Sequence, residues 1–258
     1  MEPEELRRLA VELAEEASRF LMSVWCSELT EVVKGDTIRA DLKAEEIIAE
    51  RLRSRFKEYT LVSEESGRTG SGGYVFVVDP LDGSLNYEHC IPWSSVSVAI
   101  ARPGSTRLSE VVAGAISQLG GPTLSFARGQ GCYVNDERVG PRPHPRRIVF
   151  TYVESLEDAI RVARLFNSMK GLKLRSLGSA ALEIAMVGLG RGLAYVDLRK
   201  KLRNVDAAAA IGLARECGAR AVDASGNEVD VEISDVRPLG DLIVAHEGDL
   251  DLVLRALS

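Results

Sequence analysis

The sequence predicts an α+β fold built in layers, and three observations predict it. Two amphipathic helical repeats open the chain, a run of short apolar or alternating segments follows, and helices and strands intermingle beyond residue 147. From Glu4 to Val24, Leu6, Leu9, Leu13, Ala17, Phe20, Leu21 and Val24 recur at mostly three- and four-residue intervals, which makes one helix. A second begins near Asp41, placed as an N-cap, and carries Ile47, Ile48, Leu52 and Phe56 inward. The period then changes to that of strands at Thr60–Ser63, Tyr74–Val78, Ser95–Ala101, Val111–Ser117, Leu124–Ala127 and Gly131–Val134, with Asn135 and Asp136 as turn formers. The Pro-, Arg- and Gly-rich stretch 136–147 is the expected boundary between an N-terminal half, 1–140, and a C-terminal half, 141–258. Beyond it the reading is strand Ile148–Val153, helix Leu156–Met169, helix Ser179–Leu189, strand Leu193–Val196, helix Asp206–Glu216, strand Asp241–Ala245 and a terminal helix.

A chain of 258 residues, 45% hydrophobic and 27% charged, can bury a core without staples. Its net charge of −6 argues against a nucleic-acid partner, which would call for a basic face. No apolar run approaches the ~20 residues of a membrane span, and the chain opens on acids rather than a signal pattern, so a cytoplasmic protein without a membrane partner is expected. Cys26, Cys90, Cys132 and Cys217 are far apart and form no CxxC. They are expected to be buried thiols, neither a zinc site nor a disulfide framework.

The chemistry concentrates in Asp79-Pro80-Leu81-Asp82-Gly83-Ser84, where an apolar strand ends at one acid and a second follows three residues later. Pro80 fixes a backbone angle, and Gly83 frees the chain to turn so that the N–H groups of Gly83 and Ser84 can cradle a phosphate. Ser63-Glu64-Glu65-Ser66 places two more acids at the end of another strand, where loops carry ligands. Asp41 and Asp206, each at a helix start, read singly as caps.

Together these segments resemble the inositol monophosphatase family over nearly the whole chain. The acid pair Glu64-Glu65, the run Asp79 to Ser84 followed by Leu85-Asn86-Tyr87, and Val205-Asp206-Ala207-Ala208-Ala209-Ala210 stand where the family has its three motifs, with Val205 in place of Trp and Ala in place of the closing Gly. The resemblance implies the layered α/β/α/β/α sugar-phosphatase sandwich, a homodimer, and two or three Mg²⁺ ions. Glu64, Asp79 and the Leu81 carbonyl would hold the first ion and Asp79, Asp82 and Asp206 the second. Glu65 and Asp41 would stand behind them or near a third. Lys34 and Asp36 fall in a segment similar to the family's metal loop.

Four converging acids repel by about 4 kcal/mol per pair at ~4 Å and an effective dielectric of ~20, so cations must relieve them. With oxygen donors only, Mg²⁺ fits and Zn²⁺ does not. His89, His144 and His246 are scattered and are expected to have surface or packing roles. The implied reaction is hydrolysis of a phosphate monoester, with Glu64, Ser84 and Asp41 handling the water's proton and Gly83 and Ser84 holding the phosphoryl oxygens. The same resemblance makes Gly178 and Ala180 backbone contacts to a sugar or polyol phosphate and Asp197 a hydroxyl-binding acid. Four cations lie between Asp197 and Asp206, and of these Arg199 and Arg203 suit a second phosphate. Inositol 1-phosphate and fructose 1,6-bisphosphate are the expected substrates. A 3′-phosphoadenosine 5′-phosphate phosphatase and a non-catalytic binding paralogue are the alternatives.

Overall fold

The computed structural model describes residues 1–27, 32–34, 37–142 and 147–257. In chain order the elements are α1 (Pro3–Ser23), β1 (Val32–Lys34), β2 (Thr37–Ile38), α2 (Arg39–Arg55), β3 (Tyr59–Ser63), β4 (Gly67–Gly70), β5 (Tyr74–Asp82), α3 (Ser84–Glu88), β6 (Ser95–Ala101), β7 (Val111–Gln118), β8 (Thr123–Ala127), β9 (Gly131–Val134) and β10 (Glu137–Val139). The remainder are β11 (Ile148–Thr151), α4 (Leu156–Ser168), β12 (Lys173–Arg175), α5 (Ala180–Gly188), β13 (Ala194–Asp197), α6 (Asn204–Glu216), β14 (Ala219–Val222), β15 (Leu242–His246) and α7 (Glu247–Leu257).

Five layers result. Leu6, Leu9, Leu13 and Leu21 form a buried stripe on α1, which packs with α2 on one face of an eight-stranded sheet ordered β10-β9-β8-β7-β6-β5-β3-β4. The strands at its centre, β5, β6 and β7, are buried on both faces, so they read as solid apolar runs rather than alternations. Helices α5 and α6 cover the other face, and they are buried nearly all round because a second sheet, β12-β11-β13-β15-β14, closes over them. That explains the Ala-rich composition of α6: Ala207, Ala208, Ala209 and Ala210 are all buried, and a helix pressed between two sheets has no room for long side chains. The fifth layer is α4 with α7, packed on the outer face of the second sheet through Val162, Leu165, Leu250 and Val253.

Several elements depart from the sequence reading. Strand β4, Gly67-Arg68-Thr69-Gly70, is a mostly exposed edge strand with no apolar residue to announce it. β12 is a three-residue edge strand beginning at Lys173. Helix α2 begins at Arg39, so Asp41 is not its N-cap. It lies in the first turn, and its Oδ2 accepts the Ile38 N–H at 3.0 Å. The cysteines are not free thiols: Cys26 pairs with Cys90 and Cys132 with Cys217, with Cα separations of 5.7 and 6.2 Å. These partners are 64 and 85 residues apart and meet only through tertiary packing, so spacing along the chain could not reveal them. Asn135 and Asp136 do form a hairpin turn, both in the left-handed region, between β9 and β10. No described helix is long and apolar enough to cross a membrane.

Candidate active site

The site begins with two parallel strands. β3 pairs with β5 so that Ser63 lies opposite Val78, and Glu64 therefore leaves the sheet beside Asp79. The Glu64 N–H donates to the Val78 carbonyl at 3.3 Å. Register between β5 and β6 breaks between Asp79 and Asp82, where Pro80 has no N–H to give the ladder. In the bulge the Leu81 N–H folds back onto Asp79 Oδ1 at 3.0 Å. From below, Glu45 Oε2 accepts both the Ser63 hydroxyl and the Ser66 N–H, the latter at 3.2 Å, which fixes the turn that carries Glu64 and Glu65.

The third acid arrives from the middle layer. Asp206 sits in the first turn of α6, where its Oδ2 accepts the Arg203 N–H at 2.7 Å. Glu64, Asp79 and Asp206 thereby offer oxygen atoms that all lie within 4.8 Å of one another. Burial, then the charges of Glu64, Asp82 and Asp206, push the Asp79 carboxyl well above the usual carboxylate range. Burial pushes Asp206 up to about 6, with Arg203 opposing the rise. Such a cluster of hard oxygen donors fits a divalent cation of the magnesium type, whose charge removes the cost of ionising all three.

Asp82 stands at the N-terminus of α5. Its Oδ2 accepts from the Ser179 hydroxyl, from Ser95 Oγ at 3.2 Å and from the Ala181 N–H at 3.0 Å, and its Oδ1 accepts the Ala180 N–H at 3.1 Å. Burial nevertheless raises it to about 7. It is held less by the other acids than by this helix end, which ties Ala180 to the site through its backbone.

Gly83 has φ +87°, and a Cβ there would lie 2.9 Å from the Gly178 carbonyl and 3.1 Å from that of Trp93. Only glycine allows both the turn and the approach. Ser84 then opens α3, so the first amides of that helix have no partner within it, and Gly83, Ser84 and Leu85 line the cleft. Gly178, at φ +97°, would place a Cβ 2.4 Å from Asn86 Nδ2, and that nitrogen donates to Trp93 O at 2.8 Å and Leu177 O at 2.6 Å. Asn86 thus bolts the Gly83 loop to the Gly178 loop across a cleft of about 220 Å³.

Three of the four cations of the basic run, Arg199, Lys201 and Arg203, are paired with acids. Arg199 grips Asp197 through Nε and Nη2, reaches Glu154, and lies 4.3 Å over the Tyr152 ring. Asp197, 1% exposed, is therefore covered by Arg199 and is not among the residues that line the cleft. β13 ends at Asp197, and Arg199, beyond the strand end, folds back over the acid and lines the opening. Lys201 also pairs with Glu154, and Arg203 bridges Glu64 and Asp206.

Asp41 is buried outside the cleft lining. Burial first, then Glu65 and Glu64, lift it to about 8, and its Oδ1 has no hydrogen-bond partner among the described residues. Asp36 and His144 lie outside the described residues. His89 bonds to the Leu85 carbonyl and His246 to those of Val187 and Gly188, away from the acids.

Tyr152 and Glu183 are the site residues that sequence reasoning missed. The Tyr152 hydroxyl accepts the Gly178 N–H at 3.1 Å, and fully buried Glu183 accepts the Leu177 N–H at 2.6 Å, so both shape the Gly178 loop. Burial raises Glu183 to about 8. Its one available signal was a lone acid within the otherwise apolar Ala180–Gly188.

A trio of carboxylates suited to a metal, two buried and one half-buried, set against a glycine-shaped loop that can hold an anion on a five-layer sandwich, defines a metal-dependent phosphatase. The profile of the inositol monophosphatase family matches residues 2–251, and the chain belongs to that family. It is 39% identical to the inositol-1-monophosphatase of Aeropyrum pernix, over 95% of this chain and 94% of that one. It is 34% identical to the fructose-1,6-bisphosphatase/inositol-1-monophosphatase of Thermococcus kodakarensis, over 88% and 85% of the two chains. Among solved structures, a Pyrococcus horikoshii protein described as having similarities to inositol-1 monophosphatase superposes with a TM-score of 0.83 at 29% identity, covering 99% of both chains.

Proposed function

We propose that this protein hydrolyses inositol 1-phosphate, and fructose 1,6-bisphosphate as well, with Mg²⁺ as its cofactor. The observation that carries the reading is the convergence of Glu64, Asp79 and Asp206 beside the Gly83–Ser84 turn. The names of the Aeropyrum and Thermococcus relatives support the two substrates.

Glu64, Asp79 and Asp206 would hold magnesium, with the Leu81 carbonyl and Asp82 Oδ1 completing the oxygen set and Glu65 close by. When bound, magnesium supplies a Lewis acid that polarises water and neutralises charge on the phosphoryl and leaving oxygens. The amides of Gly83 and Ser84 hold the phosphoryl group against the acids, so that attack and departure are in line. Glu64, at the mouth of the cleft, accepts the proton of the attacking water, the Ser84 hydroxyl orients that water, and the buried Asp41 assists Glu64. At the opposite wall Gly178 and Ala180 present backbone to the substrate ring. Arg199, held flat between Asp197, Glu154 and Tyr152, is a preformed fork for a second phosphate.

The test is a substrate panel of inositol 1-phosphate, fructose 1,6-bisphosphate and 3′-phosphoadenosine 5′-phosphate, assayed for phosphate release with magnesium or with EDTA. Magnesium-dependent release from the first two supports the reading. Preference for the nucleotide overturns the substrate assignment, and release undiminished in EDTA overturns the metal.

A further inference from the structure

Among the described residues Arg203 is the only cation paired with either Glu64 or Asp206. A single nitrogen, Nη2, donates to Glu64 Oε1 and, at 3.0 Å, to Asp206 Oδ1. The guanidinium therefore sits between two of the three acids whose oxygens converge for a metal. The root of the side chain is fixed: the Arg203 N–H donates to Asp206 Oδ2 at 2.7 Å, and residue 203 bridges Pro238 as an isolated antiparallel pair. Its end is not confined, since the side chains of Arg203 and Glu64 are 35% and 29% exposed. Arg199 differs, being 12% exposed and held on several sides.

We infer that Arg203 is the built-in counter-cation of the acid cluster: its guanidinium and magnesium compete for Glu64 and Asp206, and metal binding swings it about its fixed backbone toward the substrate side of the cleft. This rests on the magnesium reading above and makes Arg203 a positioning residue. Two positive groups cannot share those oxygens without strong repulsion at such short range. Guanidinium and metal also differ in what they leave behind. With Arg203 on the acids the trio is partly neutralised and the cluster tolerated. With magnesium on them a strongly basic fork is released beside Arg199, at the time a bisphosphate would arrive. The preformed grip of Arg199 on a second phosphate would then gain Arg203 only after the metal is in place.

The experiment is calorimetric titration of Mg²⁺ into the native protein and into Arg203→Gln and Arg203→Lys, with thermal unfolding of each in EDTA and in magnesium. Arg203→Gln is expected to bind magnesium at least about tenfold more tightly and to unfold earlier in EDTA, a deficit that magnesium removes. Arg203→Lys retains the charge and is expected to stay within about threefold of the native affinity. Equal or weaker binding by Arg203→Gln, or a stability loss of the same size in both buffers, overturns the inference, because a guanidinium that stays paired would be missed equally in each. Should Arg203→Gln not fold in chelator, the inference requires that magnesium restore it, and a variant unfolded in both buffers counts against it. Absence of magnesium binding by the native protein overturns the metal reading itself and this inference with it.

Discussion

Glu64 has two requirements to meet, since one carboxylate must hold a cation and take a proton from water. Its position at the end of a parallel strand, half-buried and level with Asp79, satisfies both. Glu64→Gln keeps the shape and removes the basicity, so kcat is expected to fall by at least about 10²-fold, measured as phosphate release at saturating magnesium. Asp79→Asn removes the most deeply buried acid of the trio and should abolish measurable magnesium binding in calorimetry. Arg199→Lys should raise KM for fructose 1,6-bisphosphate by about tenfold or more while leaving inositol 1-phosphate nearly unchanged, because a charged hydrogen bond contributes roughly 1.5–3 kcal/mol and only the bisphosphate has a group to receive it. Lysine is the better probe here than alanine, which would strand Asp197, 2% exposed in its side chain, without its partner. Equal changes for both substrates would remove the second-phosphate role from Arg199.

At the scale of elements the site is a meeting of ends: the end of β3, the bulge in β5, the starts of α3, α5 and α6. Gly83→Ala tests how tightly they meet. It imposes a left-handed backbone on an L residue and drives a methyl against two carbonyls, so a loss of more than about 1 kcal/mol in denaturant unfolding and a large fall in kcat are expected. The Asp79-to-Ser84 run was legible in the sequence because Pro80 and Gly83 are forced choices of residue for a bulge followed by a turn. The long helices and the central strands were legible because burial on one face or on both leaves a periodic or a solid apolar record. The edge strands β4 and β12 were not, since an exposed edge needs no apolar side chain, and neither was the Asp197–Arg199 pair, since an ion pair just past a strand end leaves no periodic record. The cysteine pairs and the Tyr152–Gly178 contact depend on how distant elements pack, which leaves no local mark.

At the scale of the molecule, two sheets share one helical layer, and that layer carries acids into an apolar interior. Glu183 is the clearest instance: its carboxyl is raised from 4.5 to about 8 because the charged form is buried. A folded-state value above the unfolded one means that the fold binds the proton more tightly. The stability this contributes is complete below pH ~4.5 and is lost as the pH rises to about 8, at roughly 1.4 kcal/mol per pH unit. Thermal unfolding of native protein and Glu183→Gln across pH 5–8 should show a shallower decline for the variant, and parallel slopes would contradict the assignment. The central claim is that the acid trio is a magnesium site serving phosphate ester hydrolysis, and the most direct measurement is phosphate release from inositol 1-phosphate by one preparation stripped with EDTA, then resupplied with Mg²⁺, beside Asp79→Asn. Release that vanishes on stripping, returns with magnesium and stays absent in Asp79→Asn is the expected result. Turnover that survives stripping, or a fully active Asp79→Asn, would contradict it.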